Sequence, residues 1–87
     1  MNAEEFTVSL KKNIRGQLGF RINLNGAVLD IRSGSPADYD GKIEIGDTLI
    51  QINNKTISPE DGIIDLLRSL DQENTFTFKR PIRQNTS

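Results

Sequence analysis

The segment Arg15-Gly16-Gln17-Leu18-Gly19-Phe20 holds the residues of this chain best suited to bind something. Gly16 and Gly19 permit backbone angles that other residues avoid, and neither has a Cβ to block close approach. Successive N–H groups in such a loop can point into one concavity, a nest that holds an anion. Leu18 and Phe20 would set apolar side chains beside it. An anion next to an apolar side chain describes the free carboxyl end of a polypeptide. Taken alone, the same glycines read first as a plain strand connection.

Other chemistry has little to work with. The 87 residues include no histidine and no cysteine, which removes the commonest zinc ligands and the usual partners of a nucleophilic Ser or Thr. No Asp or Glu pair sits on a recognisable catalytic motif, so neither catalysis nor a cofactor is expected. Eleven basic and twelve acidic residues leave a formal charge of −1, which argues against nucleic-acid binding by net charge. Apolar runs are only a few residues long, too short to span a membrane. Residues 1–5 are polar and acidic and do not resemble a signal peptide. The absence of Cys fits a reducing, cytoplasmic setting. Asn54-Lys55-Thr56 and Asn85-Thr86-Ser87 match the glycosylation pattern, which carries no weight there.

The elements that must position the loop follow from periodicity. Phe6, Val8 and Leu10 alternate with polar residues, as do Phe20, Ile22 and Leu24. Ala27, Leu29 and Ile31 alternate with Val28 and Asp30; residues 48–52 form an apolar run; Phe76 and Phe78 alternate with Thr75, Thr77 and Lys79. Each pattern predicts a strand. Asn25-Gly26 predicts a tight hairpin, because both residues tolerate positive φ. Ser35-Pro36-Ala37-Asp38 and Ser58-Pro59-Glu60-Asp61 each offer a Ser N-cap, a Pro and a nearby acid, and so predict two helix starts. Asp40-Gly41 must end the first helix early; the second can run to about Leu70. In that second helix Ile63, Leu66, Leu67 and Leu70 keep the spacing of a core stripe. Ile64 widens the stripe towards Glu60, which reads as a broad core face or as one wall of a groove. The chain is read as one domain over residues 5–80, with flexible ends at 1–4 and 81–87.

Several of these segments together resemble the PDZ family. Gln17-Leu18-Gly19-Phe20 is similar to that family's GLGF carboxylate-binding loop, and Gly34-Ser35-Pro36-Ala37 to its short first helix. Gly41 through Gly46-Asp47 resembles the pattern before its fourth strand, and Leu49-Ile50-Gln51-Ile52-Asn53 the strand and turn that follow. Ile63-Ile64-Asp65-Leu66-Leu67-Arg68 resembles its second helix. The resemblance covers nearly the whole chain, in order. It implies a partly open barrel of five to six strands with one short and one longer helix. It also implies a non-catalytic scaffold or adaptor module in signalling, usually monomeric, that binds the C-terminal tails of other proteins by β-strand addition. The ligand would lie between the second strand and the second helix, bonded to main-chain groups of residues 20–24. Gln17, Leu18, Gly19 and Phe20 would hold its carboxylate, and Leu18, Phe20, Ile22, Ile64 and Leu67 would line the pocket for its last side chain.

The departures from the family pattern are informative. Gln17 stands where Gly is usual. Arg15, or Lys12, is the candidate cation for the carboxylate. Glu60 occupies the position that reads the third-from-last ligand residue, where a carboxylate would favour a donor or a cation. Arg21 and Asn23 point away from the core face and could meet the alternate ligand side chains, Arg21 favouring an acid. The short connection at Asn25-Gly26 suggests recognition limited to about the last four ligand residues. Two other readings remain open. Lys11, Lys12 and Arg15 with Lys79, Arg80 and Arg83 could form a basic patch in peripheral contact with an anionic membrane. The domain could also be the substrate-reading module of a larger enzyme.

Overall fold

The computed structural model describes residues 3–81. Among them are strands β1 (Ala3–Lys11), β2 (Phe20–Ile22), β3 (Val28–Ile31), β4 (Thr48–Ile52), β5 (Lys55–Thr56) and β6 (Glu73–Pro81). Two α-helices, α1 (Pro36–Asp40) and α2 (Ile63–Arg68), and a 3-10 turn over Pro59–Asp61 complete the set. This is the expected mostly-β architecture with two helices. The sheet extends beyond residues 5–80, since Ala3 pairs with Pro81 and Glu4 with Arg80.

β1, β6, β4 and β5 form one antiparallel sheet, and β2 with β3 forms a second. A single bridge between Ala27 and Thr48 joins them, leaving the barrel open beside β2. Phe76 and Phe78 alternate inward from β6 and are fully buried, with Val8, Leu10, Val28 and Leu49 around them. Each buried side chain of this size contributes roughly 1.5–3 kcal/mol. Asp47, 2 % exposed, closes the far end. Its carboxylate accepts from Arg80 Nε and Nη2, both at 2.7 Å, and from the Glu44 N–H at 2.8 Å. Arg80 also donates to the Lys42 carbonyl at 2.7 Å and lies 4.6 Å over the Phe6 ring.

Four local expectations are corrected. The 23–27 hairpin is not a two-residue turn. Gly26 alone has positive φ (87°), and Asn25 does not share it. Gly26 N–H bonds the Asn23 carbonyl at 3.0 Å and Asn23 N–H bonds Ala27 at 3.0 Å, a turn followed by a one-residue glycine bulge. The paired-positive-φ turn lies instead at Asn53 (52°) and Asn54 (68°), between β4 and β5. Secondly, β2 ends at Ile22, and Leu24 sits 82 % exposed in the turn. Thirdly, a register shift after Arg21 pairs Ile22 with Val28. Val28 is therefore buried and Leu29 is 48 % exposed, the reverse of the simple alternation.

The fourth correction concerns the second helix. It does not run unbroken from Pro59. Gly62 at φ 67° separates the 3-10 turn from α2, which ends at Arg68. Asp61 accepts from the N–H and hydroxyl of Ser58 at 2.8 and 3.1 Å, which locks the turn as its own unit. Those bonds, the backbone one foremost, hold the Asp61 carboxyl below its ordinary value. The first helix is as short as expected. The Ser35 hydroxyl accepts from Asp38 N–H at 3.2 Å, and Gly41 ends it at φ 76°.

Candidate functional site

Asn13 sets up the loop between β1 and β2. Its Oδ1 accepts from the N–H groups of Arg15 and Gln17, both at 2.9 Å. Gly16 N–H returns to the Asn13 carbonyl at 2.9 Å, and Asn13 N–H reaches the Gln17 carbonyl at 3.0 Å. The next two carbonyls are also tied inward. Leu18 accepts from Ala37 N–H at 3.0 Å, a first-turn donor of α1, and Gly19 accepts from Arg32 N–H at 2.7 Å.

Those bonds determine where the N–H groups point. In a trans peptide the carbonyl and the following N–H face opposite ways, and no described bond is cis. With the carbonyls of Gln17, Leu18 and Gly19 directed inward, the N–H groups of Leu18, Gly19 and Phe20 are directed out. Those of Leu18 and Gly19 have no partner among the described residues. The Arg32 bond flanks the Phe20–Ile31 pair, so that pair is the non-hydrogen-bonded kind and the Phe20 N–H also turns away from β3. The N–H groups of Leu18, Gly19 and Phe20 thus each point away from the segment that holds the preceding carbonyl, and successive free donors are what an anion-binding nest requires.

Gly19 is indispensable to this geometry. Its φ is 99°, and an added Cβ would lie 2.0 Å from Cβ and Oγ of Ser35. Ser35, 3 % exposed, is at the same time the N-cap of α1. The helix and the loop therefore fix each other.

The surroundings sort the remaining candidates. Phe20 is half-buried, its ring edge-on to Phe76 and Phe78 with centroids at 5.5 and 5.7 Å. Ile22 belongs to the core at 8 % exposure. On α2, Ile63 is buried in the core, while Ile64 and Leu67 are partly buried against it. Leu66 and Leu70 turn to a different cleft, shared with Ile52 and Ile57. The cleft at the loop, of about 520 Å³, is lined by Gln17, Leu18, Gly19, Phe20, Arg21, Asp30 and Arg32. Its far wall is therefore β3, and Ile64, Leu67 and Glu60 do not line it.

Several side chains have other employment. The Gln17 N–H is spent on Asn13. Asn23 is a turn organiser: its Oδ1 accepts from Asn25 and Ala27 N–H groups at 2.9 and 3.0 Å. Lys12 Nζ donates to the Leu70 carbonyl at 2.7 Å, and Arg15 is exposed on the loop. Glu60 is exposed on the 3-10 turn, cut off from α2 by Gly62. Asn13 and Arg32 escaped the sequence reading, and Ser35 entered it only as the N-cap of the first helix, not as the wall behind Gly19. The signal for Asn13 was present, since Asn-x-x-Gly occurs at both 13–16 and 23–26 and Asn readily accepts from backbone N–H groups two residues on.

Among the described residues, the basic side chains expected to form one patch are interleaved with acids. Across β1 and β6, Lys11 faces Glu73, Lys79 faces Glu5 and Arg80 faces Glu4. Arg80 is held by Asp47, with Glu44 3.9 Å away. Arg83 lies outside the described residues. Burial pushes the Asp47 carboxyl up, but hydrogen bonds from Arg80 and the Glu44 N–H, with the charge of Arg80, outweigh it and hold it below its ordinary value.

Comparison with known proteins adds three findings. A family model described as PDZ domain matches residues 28–80, more than half of the chain. The mouse and human forms of tyrosine-protein phosphatase non-receptor type 13 are each 28 % identical over 85 residues, covering 85 % of this chain. The chain spans only 4 % and 3 % of those proteins. The Dlg1 PDZ2 domain of the choanoflagellate Monosiga brevicollis superimposes with a TM-score of 0.76 at 19 % identity, covering 86 % of this chain and 97 % of that one.

Proposed function

Because the chain belongs to the PDZ domain family, whose members are protein-interaction modules, we propose that it captures the free C-terminal end of partner proteins as a strand added to the open edge of β2. The supporting observation is the outward set of N–H groups at Leu18, Gly19 and Phe20, created by tying the three preceding carbonyls inward. A carboxylate there accepts charge-assisted hydrogen bonds, about twice as strong as neutral ones. The terminal side chain would pack against Leu18, Phe20, Ile64 and Leu67, all partly buried and in contact with the core. Strand addition would use the backbone of Phe20–Ile22, a shorter edge than residues 20–24. Glu60 enters through charge alone, favouring a cation at the third-from-last residue.

A library of free-carboxylate peptides, each with an amidated twin, tests this reading. Micromolar binding that amidation abolishes is expected. Equal binding of both forms, or of neither, would remove carboxylate capture. In the same screen Glu60→Gln should weaken any preference for Lys or Arg at the third-from-last residue.

A further inference from the structure

We propose that Arg32 makes the domain select ligands whose penultimate residue is acidic, a refinement that rests on the peptide-end reading above. The loop cleft has β3 as its far wall, and Arg32 stands there by backbone pairing. Its N–H bonds the Gly19 carbonyl at 2.7 Å, so its side chain starts level with the carboxylate loop.

Side chains of an added strand alternate between faces. With the terminal side chain on the Phe20 side, the penultimate one falls on the opposite face, where Arg21 is exposed. The charges on that face are Arg21, Asp30 and Arg32. Asp30 is the cross-strand partner of Arg21, and its Oδ1 also accepts from Ile31 N–H at 3.0 Å. Arg32 has no acid in register with it, and neither arginine has an ion pair among the described residues. Two arginines and one aspartate therefore leave an excess of one positive charge on the cleft next to the carboxylate donors. An acidic penultimate residue would crowd a second anion beside the terminal carboxylate, and Arg32 would offset that repulsion. Arg15 and Lys12 do not line this cleft.

The test uses the tightest free-acid peptide of the screen with Glu or Lys as its penultimate residue, each also amidated. Affinities are measured by fluorescence anisotropy for the wild type, Arg32→Glu and Arg15→Glu. The wild type should bind the Glu form about two- to fivefold tighter than the Lys form, the scale of an exposed ion pair. The preference should fade at about 0.5 M salt, invert in Arg32→Glu and persist in Arg15→Glu. No preference in the wild type, or one unchanged in Arg32→Glu, would overturn the role of Arg32 while free-acid selectivity kept the underlying reading intact. Loss of selectivity between free acid and amide would instead bring down both.

Discussion

Residues 13–17 and 23–27 make the same turn twice. In each, the Asn Oδ1 accepts from the N–H groups two and four residues on, a Gly N–H returns to the Asn carbonyl, and the Asn N–H bonds the fifth residue. The outcomes differ. At 23–27 the chain re-enters a hairpin, and the Gly26 carbonyl accepts from Leu49 N–H at 2.8 Å. At 13–17 the turn ends in outward N–H groups. Local sequence chemistry builds the turn, and the neighbours decide whether it becomes a fastening or a site.

The largest expected effect comes from removing what makes the second outcome possible. Gly19→Ala would drive a methyl group into Ser35 at a positive φ. Combined overpacking and backbone strain should cost about 2–5 kcal/mol, read as a lower urea midpoint and lost peptide binding. A midpoint within error of wild type would show that the loop can move away from α1.

The fastened turn leans on Asp47, whose carbonyl accepts from Val28 N–H at 2.7 Å. Asp47→Asn should cost about 2–3 kcal/mol, below the range for a fully buried pair because Arg80 keeps a water-facing edge. The folded carboxyl titrates below its ordinary value of 3.8. Its stabilisation is therefore complete above that value and disappears as pH falls through the lower folded one. Denaturation curves between about pH 7 and pH 2 should show an acid loss in the wild type that is shallower in Asp47→Asn.

The two turn glycines compare directly. A Cβ at Gly26 would meet the Leu49 carbonyl at 2.9 Å, whereas at Gly16 nothing lies within 4 Å. Both have positive φ, so Gly16→Ala should cost about 1 kcal/mol from strain alone and Gly26→Ala about 2–3 kcal/mol. Equal losses would mean that β4 yields freely to the hairpin.

Smallest in stability, and sharpest in function, is the pair of asparagine variants. Asn23→Ala should lower stability by about 1 kcal/mol with peptide affinity nearly unchanged. Asn13→Ala, in an exposed turn, should cost less stability and more affinity, because the Gln17 carbonyl would no longer be anchored. Calorimetric titration of both variants with one free-acid peptide checks the contrast.

Much of this was legible in the sequence. The strand patterns, the Ser-Pro start of α1, its stop at Gly41 and the Gln17-Leu18-Gly19-Phe20 loop all depend on short-range rules: side-chain alternation, capping and the freedom of glycine. Only the tertiary structure decided the rest, since each remaining feature depends on partners distant in sequence. The bulge opposite β2 buries Val28 and exposes Leu29 because β3 must meet both Arg21 and Ile22. Gly62 divides the expected helix and detaches Glu60 from it, though a lone glycine within a helical pattern reads equally as a tolerated one. Arg80, one of eleven basic residues in the sequence, is consumed by Asp47 across 33 residues. Arg32 reaches the loop only because β3 pairs beside Gly19. Composition and spacing name the groups that can bind, while the hydrogen bonds of distant segments determine which of them face the same cleft.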